Sequence, residues 1–279
     1  MLCRVMKVNR SAYYAYASRQ TYQESAARTA CAARVKECFW FHRRRYGTRR
    51  IAAELKIGRS TARRLMRREN LRAIQSKSFK PQTTDSRHTL AVSPNLLRHS
   101  EGTPVSIGEI FVGDITYLKL RSGGFCYLAV LQDKYTRRIV SWKVSPRITA
   151  QLVIDVFLQA RRCGLISKGA IIHSDRGSQY AAVEYRRLLY IGGFRQSMSR
   201  KGNCYDNAQA ESFFSRFKAE LIENGIFESI EDARSEVFSY IEGYYNRIRL
   251  HSGLGYKSPL EFEKELKFKN IRSRESFVS

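Results

Sequence analysis

The chain has 279 residues, enough for two domains, and its 43% hydrophobic and 12% aromatic content excludes a wholly disordered protein. Its 50 Lys and Arg against 25 Asp and Glu give a net charge of +25, which favours a polyanionic partner, above all nucleic acid. No apolar run is long enough to span a bilayer and no signal peptide is visible, so we predict a cytoplasmic protein without a membrane partner.

The cysteines predict neither disulfides nor a zinc motif. They form no C-x-x-C pair and have no zinc-ligand spacing, so we interpret them as reduced thiols, which is typical of the cytosol. The six are Cys3, Cys31, Cys38, Cys126, Cys163 and Cys204.

The front of the chain is mainly basic, with 23 Lys and Arg against 6 Asp and Glu in residues 1–108. Residues 1–40 predict a helical segment in which no chemistry is visible. Residues 41–73 predict a DNA-binding helix-turn-helix, in which Ser60 caps a second helix over residues 61–69. That helix would expose four arginines suited to phosphate contacts: Arg63, Arg64, Arg67 and Arg68. The alternative is a helical hairpin with a solvated basic face, and the charge excess favours DNA.

Residues 74–108 are rich in polar residues and contain three prolines, which predicts a linker or an extended segment. Residues 109–265 then alternate strands and helices in the order βββαβαβα, and a basic tail follows at 266–279. This order predicts an α/β domain: a ribonuclease-H-like mixed sheet with helices on both faces, preceded by the small all-α domain. The predicted elements are strands at 110–120, 125–133 and 138–144, a helix at 150–163, a strand at 169–174, a helix at 178–191, a strand at 194–197 and a helix that carries Glu211.

Three acidic residues stand out in this order. Asp114 lies inside the first strand among apolar residues, where a carboxylate is costly unless it is neutralised. Asp175 follows the fourth strand, at the end of a strand where active sites form in α/β sheets. Glu211 lies one turn inside its helix, and Lys218 follows two turns later on nearly the same face. Individually, Asp114 could pair with an arginine, Asp175 could cap a helix, and Glu211 could lie on an ordinary surface helix. Together they would repel one another unless divalent cations bind.

The sequence resembles the DDE transposases and retroviral integrases, and most closely the bacterial insertion-sequence transposases whose reading frame B encodes the catalytic core. Asp114, Asp175 and Glu211, with 35 residues between the last two, match the family pattern. Four further stretches match it nearly letter for letter: 113–117, 173–180, 200–208 with 211–214, and 245–252 with 254–259. Departures are Phe111, where the family usually has Trp, and Gly253, where Ser is common.

The resemblance implies a DNA transposase that cleaves the ends of an insertion sequence and transfers the freed 3′-hydroxyl to another strand. In the family the three carboxylates hold two Mg²⁺ or Mn²⁺ ions, so Asp114, Asp175 and Glu211 are the expected catalytic and metal-binding residues. Lys218 would lie near the terminal DNA phosphates, and further expected DNA contacts are Lys201, Asn203, Arg247, Arg249 and His251. His251 could instead be a packed or capping residue, and His173 is expected to orient Asp175 rather than bind metal.

The expected partners are element ends with terminal inverted repeats, target DNA, and further copies of the chain in a homo-oligomer. The family usually adds an upstream frame with its own helix-turn-helix and a leucine zipper. This chain has no heptad repeat, so we interpret it as the frame-B product, whose partner would be the frame-A protein. A non-catalytic DNA-binding regulator of transposition is the alternative function, and a simple ribonuclease H is disfavoured by the basic front half.

Overall fold

The computed structural model describes residues 2–19, 25–75, 90–98, 103–104, 106–200, 208–221 and 226–275. The chain divides into two compact units, Met1–Ile74 and Gln75–Ser279. Within the described residues no helix is both long and apolar enough to cross a membrane.

The first unit is helical. It contains α1 (Leu2–Val5), α2 (Arg10–Ala17), α3 (Ala26–Phe41), α4 (Thr48–Leu55) and α5 (Arg59–Arg68). The last three helices pack on one another through fully buried apolar side chains, among them Val35 on α3, Ile51 on α4 and Ala62 on α5. The predicted boundary at residue 40 therefore cuts through a packed three-helix unit, because α3 supplies part of its core.

Two short helices around a tight turn are present where the helix-turn-helix was predicted. Helix α4 ends at Leu55, its C-cap residue Lys56 has a left-handed backbone (φ 53°), and α5 begins at Arg59 with Gly58 as its N-cap residue. The prediction that Ser60 caps this helix is wrong, since the helix begins one residue before it. The buried side of α5 is apolar and its other side carries the arginines, so the helix is strongly amphipathic.

The second unit is built on a mixed sheet. Its strands are β1 (Ile110–Leu120), β2 (Phe125–Asp133), β3 (Ile139–Ser145), β4 (Ile171–Ser174), β5 (Arg195–Met198) and β6 (Ile226–Phe227). The order is β3-β2-β1-β4-β5, with the first three antiparallel and β4 and β5 parallel to β1, while β6 pairs with the far end of β1. The predicted ribonuclease-H-like mixed sheet is confirmed. The two-residue strand β6 was not predicted, because so short a stretch has no measurable period.

Helices cover both faces of this sheet. They are α6 (Ala150–Arg162), α7 (Ser178–Ala181), α8 (Val183–Ile191), α9 (Ala208–Leu221), α10 (Ile230–Phe238), which continues as a π-helical turn at Ser239–Tyr245, and α11 (Pro259–Glu275). On one face Phe111 and Leu131 pack against Phe157 of α6 and Leu189 of α8. On the other, the Trp142 indole N–H donates to Glu242 at 2.9 Å.

The predicted helix over 178–191 is in fact two helices, α7 and α8. Ala182 between them has extended backbone angles (φ −57°, ψ 139°), which ends one helix and starts the next. At the other end of the chain α11 runs without a break through residue 265, so the expected division between core and basic tail falls inside one helix.

Part of the predicted linker belongs to the sheet unit. The Met198 N–H donates to the Pro94 carbonyl at 3.4 Å, the Leu96 N–H donates to Ser197 Oγ at 3.0 Å, and Ser93 Oγ donates to Gln196 Oε1 at 2.7 Å. Residues 93–96 therefore lie along β5, which is the edge strand of the sheet.

Candidate active site

The register of two neighbouring parallel strands brings the two aspartates to one level. Val112 of β1 is paired with His173 of β4, so Asp114 and Asp175 each lie two residues further along their own chains. Because side chains alternate along a strand, Asp114 shares the face of Val112. Gln132, the partner of Val112, donates to the Tyr245 hydroxyl, and Tyr245 packs on Phe213 of α9, so α9 covers this face.

Asp114 is half-buried in the middle of β1, opposite Val130 of β2. The Ile115 N–H donates to its Oδ1 at 2.8 Å, and within the described residues its carboxylate forms no ion pair. The alternative that Asp114 pairs with an arginine is therefore not supported. The preceding residue is glycine because Tyr180 packs directly behind the strand, where a Cβ on Gly113 would lie 3.3 Å from the tyrosine oxygen.

Asp175 follows the last residue of β4, as predicted. Its Oδ1 accepts a hydrogen bond from the Gly177 N–H at 3.0 Å, which closes a turn just before α7. The N-cap residue of α7 is Gly177, so Asp175 shapes the turn that leads into the helix without capping it.

The fully buried His173 connects the parallel strands β4 and β5. Its Nδ1 lies 2.8 Å from Ser197 Oγ and its Nε2 lies 3.1 Å from Ser199 Oγ. Both ring nitrogens are thus engaged by β5 and the residue that follows it, and the orientation of Asp175 by His173 stays a prediction. Arg176 adds a second link, since its Nε donates to the Ser199 carbonyl at 2.7 Å.

Helix α9 places Glu211 in its first turn. Gln209, two residues earlier, donates from Nε2 to the Lys134 carbonyl at 3.1 Å and so ties the start of α9 to the end of β2. Phe213 and Phe217 are buried on the side of α9 opposite solvent, while Glu211 itself remains exposed. Helix α9 is therefore held by the packing of its phenylalanines and by the Gln209 hydrogen bond at its start, and the Glu211 carboxylate lies on its exposed side.

The three carboxylates influence one another electrostatically. Burial, followed by the charges of Asp175 and Glu211, raises the pKa of Asp114 well above its ordinary value. Burial and the charge of Asp175 likewise raise the pKa of Glu211. Asp114 thus lies within the field of both other carboxylates and Glu211 within that of Asp175, as expected of a site that needs a cation. Within the described residues the three do not form a group whose ligand atoms all lie within 4.8 Å of one another, so the cluster is open.

Lys218 lies between this cluster and an aromatic side chain. Its Nζ is 5.5 Å from the centre of the Tyr117 ring, a cation–π contact. Burial lowers the pKa of Lys218, while the charge of Asp114 opposes that shift. Tyr117 was not predicted as the partner of Lys218, although it lies three positions after Asp114 on β1.

The expected DNA contacts near the end of the chain separate into two kinds. Arg247 is exposed. Arg249 is 3% exposed and donates from Nε and Nη2 to both carboxylate oxygens of Glu220 at 2.7 and 2.6 Å. The prediction that Arg249 contacts DNA is therefore wrong, because its guanidinium is enclosed and committed to Glu220. His251 packs edge-on against Tyr245 with ring centres 4.9 Å apart, as its alternative assignment expected.

The remaining predicted DNA contacts lie elsewhere. Lys201 and Asn203 fall outside the described residues. The four arginines of α5 are all exposed, and with Arg59 and Ser60 they line one shallow, open depression.

Comparisons with known proteins agree on one class. Residues 106–204 and 192–259 each match an integrase core domain model. These matches make the sheet unit the catalytic core of a DDE-type integrase or transposase. Among solved structures, the HTLV-2 integrase catalytic core domain in complex with magnesium (trimeric form) matches at 15% identity over 58% of this chain and 99% of that one, with a TM-score of 0.44.

Relatives narrow the class to one family. The chain is 39% identical over 94% of its length to the transposase InsF for insertion sequence IS3A of Escherichia coli (strain K12), covering 92% of that protein. It is 38% identical over 95% of its length to the insertion element IS600 uncharacterized 31 kDa protein of Shigella sonnei, covering 98% of it. The chain therefore belongs to the IS3-family insertion-sequence transposases.

Proposed function

We propose that this transposase cleaves the ends of its insertion sequence and transfers the freed 3′-hydroxyl to target DNA, with Asp114, Asp175 and Glu211 as its catalytic, metal-binding carboxylates. The observation that supports this most directly is the convergence of the three side chains: the pairing of β1 with β4 brings Asp114 and Asp175 to one level, and the charge of Asp175 raises the pKa of both Asp114 and Glu211. These side chains come from a central strand, a strand end and a helix, so their proximity is a product of the tertiary fold.

The donor set fits hard divalent cations. Three carboxylates supply only oxygen ligands, which Mg²⁺ and Mn²⁺ prefer, and the open arrangement leaves room for substrate oxygens. We propose two ions, which when bound would stabilise the attacking and leaving oxygens of the phosphoryl transfer. Asp114 and Asp175 are held by backbone bonds, so their contribution is a fixed negative pocket that needs little reorganisation.

DNA contacts complete the proposal. Lys218 would hold a phosphate near the cleaved end, and Arg247, with Lys201 and Asn203, would contact the flanking duplex. The α5 arginines Arg63, Arg64, Arg67 and Arg68 would bind phosphates of the element end, which agrees with their exposure on one side of a helix. We further propose a homo-oligomer on DNA at the bacterial nucleoid, joined by an upstream frame-A protein.

The test is cleavage and joining of DNA that carries the element's inverted repeats, with Mg²⁺ or Mn²⁺ present. Asp114→Asn, Asp175→Asn and Glu211→Gln should each lower the rate by at least about 10²–10³-fold while DNA binding persists. Asp155→Asn is the matched control, since Asp155 is a partly exposed carboxylate outside the cluster, paired with Lys143. Substantial activity in any of the three variants would refute the assignment, and a wild-type chain that binds without cutting would refute the catalytic function.

Lys218→Met should weaken binding of element-end DNA and reduce the salt dependence of that binding by about one phosphate contact. The reason is the removal of one half-buried cation beside the carboxylates, while Met keeps most of the apolar stem. Arg216→Met on the exposed side of the same helix is the control. Equal losses in the two variants, measured by fluorescence anisotropy across a salt series, would mean that Lys218 has no special position.

A further inference from the structure

The helical unit contains a second group of potential metal ligands, far along the chain from the catalytic carboxylates. Within the described residues, the ligand atoms of Cys38, His42 and Glu54 all lie within 4.8 Å of one another. Cys38 and His42 are four residues apart at the end of α3 and so face the same side, and Glu54 comes from α4. Two packed helices therefore supply a sulfur, a nitrogen and an oxygen to one point.

We propose that Cys38, His42 and Glu54 form a binding site for a single Zn²⁺ ion. Thiolate, imidazole and carboxylate are the ligands that zinc takes in proteins, and three of them with one open position are a common set. Tetrahedral coordination places ligand atoms about 3.3–3.6 Å apart. His42 Nε2 already lies 3.5 Å from Glu54 Oε1, so little movement is needed to close this pair around an ion.

The surroundings of the group favour a cation. His42 is the C-cap residue of α3, where the partial negative charge of the helix end attracts positive charge. Its ring is fully buried and stacks on Tyr46 with centres 3.6 Å apart and an interplanar angle of 10°, which fixes the orientation of the imidazole. The side chain of Glu54 is 32% exposed, which leaves a route from solvent to the site.

Binding requires one proton to leave. Burial, with smaller contributions from Glu54 and Glu37, raises the pKa of the Cys38 thiol to about 11, so the metal-free site holds a thiol. On coordination the thiol proton passes to solvent and the sulfur binds as thiolate. The ion would then join α3 to α4 across a turn in which Arg43 and Arg44 both have left-handed backbone angles. A bound ion would thus stabilise the packing of α3 on α4, the two helices that α5 and its exposed arginines contact.

This group escapes a search for zinc motifs in the sequence. Such a search looks for paired cysteines or histidines at short spacing, whereas here the third ligand lies twelve residues beyond the second. Only the packing of α3 on α4 brings Glu54 close to Cys38 and His42.

The experiment uses the full-length protein, stripped with chelator and titrated with Co²⁺ as a spectroscopic probe. One equivalent should produce a thiolate-to-cobalt charge-transfer band that Zn²⁺ then removes. Cys38→Ser should abolish the band, and Glu54→Gln should weaken Co²⁺ binding by at least about 10–100-fold. The band is specific because the carboxylates around Asp114 supply no sulfur, so Asp114→Asn must retain it.

A matched control lies on the same helix. Cys31→Ser removes a half-buried thiol two turns earlier on α3 and should leave the titration unchanged. If Cys38→Ser does not fold, Glu54→Gln decides, because that side chain lies at the surface. No band in the wild-type protein, or a band that survives Cys38→Ser, would overturn the proposal and leave the three residues as a polar contact between helices.

Discussion

Asp114→Asn should yield a protein that cannot cut DNA yet melts at a higher temperature than wild type when chelator is present. The pKa of Asp114 is raised in the folded state by burial and by Asp175 and Glu211, so ionised Asp114 opposes folding in the absence of metal. The neutral, nearly isosteric amide removes that repulsion. Catalysis and stability therefore move in opposite directions in one variant.

The pH dependence follows from the same shift. A carboxyl group whose folded pKa is raised imposes no penalty below its unfolded pKa, near 3.8, and an increasing one as pH rises towards the folded value. The stability advantage of Asp114→Asn should thus be absent in acid and grow on going to neutral pH. Thermal melts in chelator across that pH range measure it.

Added Mg²⁺ should reverse the order of the melting temperatures, so that wild type melts above Asp114→Asn. An ion that binds only the folded protein stabilises it by mass action, and wild type has all three ligands whereas the variant lacks one. A variant that is less stable than wild type in chelator at neutral pH would show that Asp114 makes a favourable contact in the metal-free fold. The carboxylate cluster would then not be strained.

Arg249→Met should destabilise the sheet unit by about 3–5 kcal/mol, because it leaves the Glu220 carboxylate buried with its principal cation removed. Glu220 accepts two bonds from Arg249 and a third from the Tyr240 hydroxyl at 2.9 Å, and it lies on α9. The pair thus connects the helix that carries Glu211 to the segment after α10. Denaturant unfolding measures the loss.

Arg247→Met is the matched control for that experiment. It removes the same charge from an exposed position two residues earlier, so its effect should stay within about 0.5 kcal/mol. The double variant Glu220→Leu with Arg249→Met should recover much of the stability, since an apolar pair of similar volume leaves no buried charge. Equal effects of the two arginine substitutions would contradict a structural role specific to Arg249.

Chain order and period were sufficient to predict most of the sheet. The alternation in residues 110–133 predicts two paired strands, and the mixed strand order follows from the helices that interrupt the later ones. The positions of Asp114 inside β1 and of Asp175 after β4 followed from the same reading. These predictions succeeded because each depends on a local pattern.

Contacts between distant segments could not be predicted from local sequence patterns. An arginine close to two other basic residues, Arg247 and His251, looks like a DNA contact, and only the tertiary structure places Arg249 against Glu220, 29 residues away. His173 was expected to act on Asp175, but its bonds to Ser197 and Ser199 required the pairing of β4 with β5. The Cys38 group arises in the same way, from two helices that pack together.

The segment alongside β5 determines where a usable catalytic fragment begins. Ser93, Pro94 and Leu96 form hydrogen bonds with main-chain and side-chain groups along this edge strand. A fragment that started at residue 109 would leave this edge open to pairing with another molecule, which invites aggregation. Expression of the core alone therefore calls for a start before residue 90, well upstream of the first strand.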